Sequence, residues 1–222
     1  MDLMRILRSL EEFLYELVGW LVFYPRTFWR VLRHPAAIAR YTQLELEQEP
    51  EHQFTETISP VLMLILSVVL AHALEMLSRI PTAAMTTPIS QMLLGSEQAL
   101  LLTRCVVFCG YALIAALSIL RQQRKPITRE TLRTPFSIQA FLVSPFVLML
   151  SAGVLLMRVG GSWEIPTGIA LTTFACAWYL WARASAYRAL VDVGWSAALA
   201  RVGVAFLITS ALLIALMQLV VP

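Results

Sequence analysis

Few side chains in this sequence have chemistry to offer. His72 and Glu75 stand three residues apart, on one face of a helix, and Arg104 lies in the next apolar stretch. If the two stretches form an antiparallel hairpin, all three reach a similar depth. Glu75 and Arg104 then make an ion pair with an imidazole beside it. Two readings of this candidate intramembrane polar site stay open. It is either a proton- or substrate-sensitive site opening outward, or a pair that neutralises two charges and pins the hairpin register. Breaking such a pair by removing one partner is expected to destabilise more than removing both. One His and one carboxylate are too few ligands for a metal.

The remaining chemistry is sparse. His34 and His52 fall in polar segments. Cys105, Cys109 and Cys176 all lie in apolar runs, an odd number that reads as small packing residues and not as a disulfide framework. The aspartates, Asp2 and Asp192, lie outside the apolar runs, and neither a zinc-protease HExxH, a nucleophile elbow nor a glycine-rich phosphate loop is present. The expectation is a protein that is not an enzyme and holds no cofactor or metal.

The elements that position these residues are set by the solvent. Of 222 residues, 59% are hydrophobic and 14% charged, against about 25% charged in a typical soluble domain. Apolar runs of about 20 residues are long enough to cross the bilayer as helices. Five are visible, at about 59–78, 99–120, 136–157, 168–184 and 202–221. The basic residues cluster between and before them. Arg121, Arg124, Lys125, Arg129 and Arg133 follow the second run, and Arg183, Arg188 and Arg201 bracket an amphipathic segment ending near Trp195. Only Arg79, Arg104 and Arg158 fall to the other side. Lys- and Arg-rich short loops stay cytoplasmic, so the N-terminus reads as inside and the C-terminus as outside. With the runs removed, no basic soluble domain is left to bind nucleic acid.

Within the third run, Ser144 and Pro145 predict a helix kink that frees a carbonyl. Small residues form stripes at Cys105, Cys109, Ala112 and Ala116, at Ala170, Thr173 and Ala177, and at Ser196, Ala200 and Gly203. Such faces let helices approach closely, either within the bundle or against a partner. The segment from Arg79 to Gln98, with Pro81, Met85 and Pro88, reads as an outer loop carrying a short interfacial piece.

Residues 1–57 read as a cytoplasmic or interfacial amphipathic region, and 58–222 as the five-helix transmembrane domain. Leu3, Ile6, Leu7, Leu10, Phe13, Leu14, Leu17, Val18 and Leu21 follow helical spacing, with five charges opposite. A helix of this kind lies in the membrane interface, and no cleavage site of a signal peptide follows it. Pro25 predicts its end. A second short helix is expected beyond, where Arg26, Trp29, Arg30 and Arg33 suit contact with an anionic membrane surface, the alternative being a solvated connector. Together these features predict an all-α fold: a polytopic membrane helix bundle with five transmembrane helices and N-terminal interfacial amphipathic helices.

The order of parts resembles the Yip1-type family of five-span membrane proteins, in its bacterial branch. The likeness rests on RHPAAIARY (Arg33 to Tyr41) before an acidic linker, and on YRALVDVGWSAALARVGVAFL (Tyr187 to Leu207) leading into the last span. The DLYGP-type signature of the eukaryotic branch is absent. The resemblance implies a small integral membrane protein acting through helix and partner contacts, often labelled a permease. The expected role is a non-enzymatic accessory or scaffold of the bacterial inner membrane, contacting lipid and a membrane-protein partner or second copy. The alternative is a small permease or transporter subunit with its site near His72, Glu75 and Arg104.

Overall fold

The computed structural model describes residues 3–80 and 87–220, with side chains left aside at 3–7, 12, 13, 16, 217, 219 and 220. Asp2, Pro81, Met85 and Val221 lie outside the described residues. The chain is all-α. Its helices are α1 (Leu3–Arg33), α2 (Pro35–Glu47), α3 (Pro60–Ser78), α4 (Pro88–Leu94), α5 (Glu97–Gln122), α6 (Arg129–Val159), α7 (Glu164–Leu190) and α8 (Trp195–Val220). Five of them, α3 and α5 to α8, are long and apolar enough to cross a membrane.

The helices from α5 to α8 run longer than their apolar runs, α6, α7 and α8 by several residues. α6 starts at Arg129, because Thr128 caps it in a reciprocal box with Thr131. α8 starts at Trp195, since Ser196 to Ala200 offer no helix breaker. The amphipathic segment expected between Arg183 and Arg201 is therefore not a separate element. α7 runs on to Leu190, and residues 191–194 turn directly into α8. The Arg188 Nε holds that turn by donating to the Val193 carbonyl at 3.0 Å.

Pro25 does not end the first helix, which is continuous to Arg33. Pro25 is exposed, so the Leu21 carbonyl left without its amide faces outward, where it is not desolvated. The helix is carried past it by burial on the far side, where Trp20, Tyr24, Phe28 and Val31 pack into the core. The break comes instead at His34, whose φ of −132° precedes Pro35. There the Trp178 indole N–H takes up the free Leu32 carbonyl at 3.1 Å.

α6 and α7 form the spine. They are antiparallel and meet closest where Gly153 faces Gly168: a Cβ on Gly168 would stand 2.6 Å from the Gly153 carbonyl oxygen. Of the small-residue stripes, only the one on α5 packs inward, with Ala112 and Ala116 fully buried. Ala170, Thr173, Ala177, Ser196 and Ala200 are exposed. Aromatic rings close the centre of the bundle, with Phe146 stacked on Tyr179 at 4.5 Å and Tyr111 and Phe206 around them.

The helices are offset in depth. Glu75 of α3 meets Arg158 of α6, and the two helices run the same way, so Pro60 is level with Val143. The fourteen residues before Val143 in α6, Arg129–Leu142, then extend about 21 Å past the start of α3 at 1.5 Å per residue. This extension, the last turns of α7, α2 and the 48–59 linker form a second tier at the Arg-rich end. Phe54 is held in it at φ 58°, its ring against Tyr41 and Phe141 and its amide donating to Glu45.

Candidate functional site: an ion cluster at the end opposite the Arg-rich tier

α3 is helical from Pro60, a good first residue because its missing N–H has no partner to lose. It ends at Arg79, which adopts the left-handed conformation and whose amide donates to the Met76 carbonyl. His72 and Glu75 thus ride on its last two turns. α5 begins at Ser96, whose hydroxyl accepts from the Ala99 amide, and carries Glu97 and Arg104 on its first two turns. α6 brings Arg158 on its last turn.

These side chains converge. The Glu75 carboxylate accepts from Arg104 through one oxygen and from Arg158 through the other. Arg104 also reaches the His72 Nδ1 at 3.2 Å. A guanidinium can only donate, so Nδ1 accepts and the proton of a neutral His72 sits on Nε2. That nitrogen faces the Glu97 carboxylate at 3.4 Å. His72 is buried at 6% exposure, whereas Glu97 stands at the rim. The structure brings His72, Glu75 and Arg104 into one cluster and adds Glu97 and Arg158.

The cluster separates two cavities. Toward the bundle interior is one of about 330 Å³ between α3, α5 and α6, walled by Val68, Phe108, Val147 and Ser151 beneath the three charged groups. On the other side is one of about 210 Å³, bounded by His72, Glu75, Arg79 and Glu97. Glu75 and Leu100 line both. Chemically, two guanidiniums converging on one carboxylate can hold an anion by exchange, since Arg matches carboxylate and phosphate in the same forked geometry. Among the described residues, no three His, Cys, Asp or Glu gather closely enough to hold a metal.

Ser144 and Pro145 lie elsewhere. Both are buried in α6, which continues through them, and the Ser144 hydroxyl donates to the Ala140 carbonyl at 2.8 Å. Neither lines the two cavities. Of the surface residues, Arg26, Trp29 and Arg33 face outward, with the Arg33 guanidinium over the Trp29 ring at 4.0 Å. Arg30 turns instead toward α2, over the Tyr41 ring at 4.5 Å.

Sequence reasoning misses Arg158 and Glu97 because they look like ordinary charges at helix ends. The available signal is that Arg158 directly follows the apolar Val154, Leu155 and Met157 at the end of a span, where a charge without a partner is costly. No family model, curated protein or solved structure matches the chain.

Proposed function

We propose that the protein is a non-enzymatic multi-pass protein of the bacterial inner membrane, acting as a small permease or transporter subunit. In this reading the Arg-rich tier is cytoplasmic and the C-terminus periplasmic, as the distribution of basic residues favours. The outer cavity admits a solute, and Glu75, bridged to Arg104 and Arg158, is the latch between it and the inner cavity. The observation that carries the reading is the pair of cavities sharing Glu75. A pair serving only to neutralise charge needs no empty volume on both sides. The chain has no visible internal repeat, so a subunit suits it better than a self-contained transporter.

The test is accessibility from water. In intact cells, on a background with the three cysteines replaced, Ser151→Cys should react with a membrane-impermeant thiol reagent, and faster when combined with Glu75→Gln. A Ser151→Cys side chain that never reacts in either background refutes the latch.

A second reading keeps the accessory or scaffold role that the Yip1-type layout implies. It is favoured by the first half of α1, where Leu10, Leu14, Val18 and Leu21 are all about half exposed or more. That face suits a bilayer surface or a partner helix. Crosslinking from Val18 in native membranes distinguishes the two: capture of one defined protein supports the scaffold, whereas lipid adducts alone count against it.

A further inference from the structure

The inner cavity, about 330 Å³ between α3, α5 and α6, is divided by polarity along its length. Its body is mostly aliphatic and aromatic, with Val68 and Val147 at 1% exposure or less and Phe108 beside them. All of its charge sits at one end, on Glu75, Arg104 and Arg158. From Arg158 to Val147 the lining descends eleven residues of α6, or about 16 Å at 1.5 Å per residue.

The charged end is not balanced. Both guanidiniums that line the cavity form ion pairs with the same carboxylate, that of Glu75. Glu97 lies on the other side of the His72 ring and bounds the outer cavity instead. The lining of the inner cavity therefore carries two positive charges and one negative. An excess charge against an apolar chamber is costly, and a bound ion of opposite sign relieves it.

Shape and charge together select the ligand. An alkylammonium is repelled by the excess, and an alcohol or alkane leaves it standing. A phosphate monoester, at about −1.5 to −2, overshoots it. A dicarboxylate would bury its second charge among Val68, Phe108 and Val147. A volume near 330 Å³ is at the small end of ligand pockets, which run from about 300 to 1,000 Å³, and suits one short chain better than the paired chains of a phospholipid. At about 30 Å³ for each water-sized group it holds about eleven such groups, the size of octanoate. We propose that the inner cavity binds a single-chain alkyl carboxylate, its head on Arg104 and Arg158 and its tail against Val68, Phe108 and Val147. The head is the same group as the Glu75 side chain, so it fits the same forks and takes a guanidinium from Glu75 by exchange. The assignment rests on the latch reading for the route by which the anion enters, and adds to it the class of solute.

The full chain in phosphatidylcholine nanodiscs is titrated with octanoate at pH 7 while thermal unfolding is followed. Octanol and octylammonium share the chain, and acetate shares the head. Octanoate should raise the Tm saturably and the three controls should not. Hexanoate should need about tenfold more, the loss of two buried methylenes. Arg158→Gln should raise the half-saturating concentration of octanoate about tenfold or more, the loss of one charge-assisted contact. Ser151→Leu keeps every charge and fills the chamber with an apolar group, so it should fold at least as well and still lose most of the response. Octanol matching octanoate, or an unchanged response in a stable Ser151→Leu protein, overturns the proposal. So does phosphatidylglycerol in the disc if it gives the same rise and leaves octanoate nothing to add, since the occupant is then a lipid. The latch is judged separately by the reactivity of Ser151→Cys. If that thiol reacts and octanoate neither protects it nor raises the Tm, the latch stands and the alkyl carboxylate is overturned. If octanoate binds with the expected selectivity and the thiol never reacts, the ligand stands and the latch falls.

Discussion

Glu75→Gln keeps the shape of the side chain and removes the negative charge that two guanidiniums share. The side chains of Glu75, Arg104 and Arg158 are 20%, 23% and 29% exposed. Breaking a fully buried pair costs about 3–5 kcal/mol, and an exposed one about 0–1. Partial exposure puts the expected loss at about 2–3 kcal/mol, because both arginines are left desolvated without the carboxylate they converge on. The coupling is the sharper quantity. Hydrogen-bonded pairs between membrane helices average only about 0.6 kcal/mol in double-mutant cycles. Both partners here are ionised, which roughly doubles a hydrogen bond, so Glu75→Gln with Arg104→Gln should couple by about 1–2 kcal/mol. The assay is equilibrium unfolding in mixed micelles of increasing denaturing detergent, followed by the fluorescence of the six tryptophans. Replacing Glu75, Arg104 and Arg158 together with Leu should cost less than Glu75→Gln alone. Additivity within about 0.3 kcal/mol in the Arg104 and Arg158 cycles alike would refute the claim that these groups act as one unit.

Two further outcomes follow from packing and burial. Gly168→Ala forces a Cβ to within 2.6 Å of the Gly153 carbonyl oxygen and 2.9 Å of the Met157 amide nitrogen, both backbone, and should destabilise by about 1–3 kcal/mol in the same assay. Gly19→Ala, which meets nothing within 4 Å, should instead stabilise by about 0.5–1 kcal/mol, and equal effects at the two sites would deny the close α6–α7 approach. The docking of α1 and α2 should weaken in alkali. Burial raises the Tyr24 and Tyr41 hydroxyls above their ordinary value of 10.0, more than their bonds to Ser67 and Thr57 lower them. The unfolded chain therefore loses these protons first as pH rises, so the stability they contribute is whole below about 10 and declines beyond it. Tyr24→Phe should flatten that decline, and an unchanged slope would argue against the burial of its hydroxyl.

The five apolar runs were legible because length and hydropathy are local properties, and the meeting of Glu75 with Arg104 follows from hairpin geometry alone. What stayed hidden depends on how the helices are offset along one another. Arg183 reads as one more basic residue at a membrane edge, yet the 21 Å overhang of α6 past α3 puts it inside packed protein. A hint was present in Ala182, Ala184 and Ala186, small residues that let neighbouring helices close over it. Arg158 needed three helices at once before its role could be seen. Pro25 misled for a different reason. A proline rule weighs the lost hydrogen bond and the steric clash, whereas Trp20, Tyr24 and Phe28 decide the matter through tertiary burial.

The clasp of Gly153 against Gly168 also limits how the molecule can deform. With backbones that close, α6 cannot slide or roll against α7 without breaking contact along much of its length. The wall of the interior cavity that carries Val147, Ser151 and Arg158 is therefore stationary, and any widening must come from α3 and α5 swinging away from it. The protein opens like a door with a fixed jamb, and only one side needs a hinge.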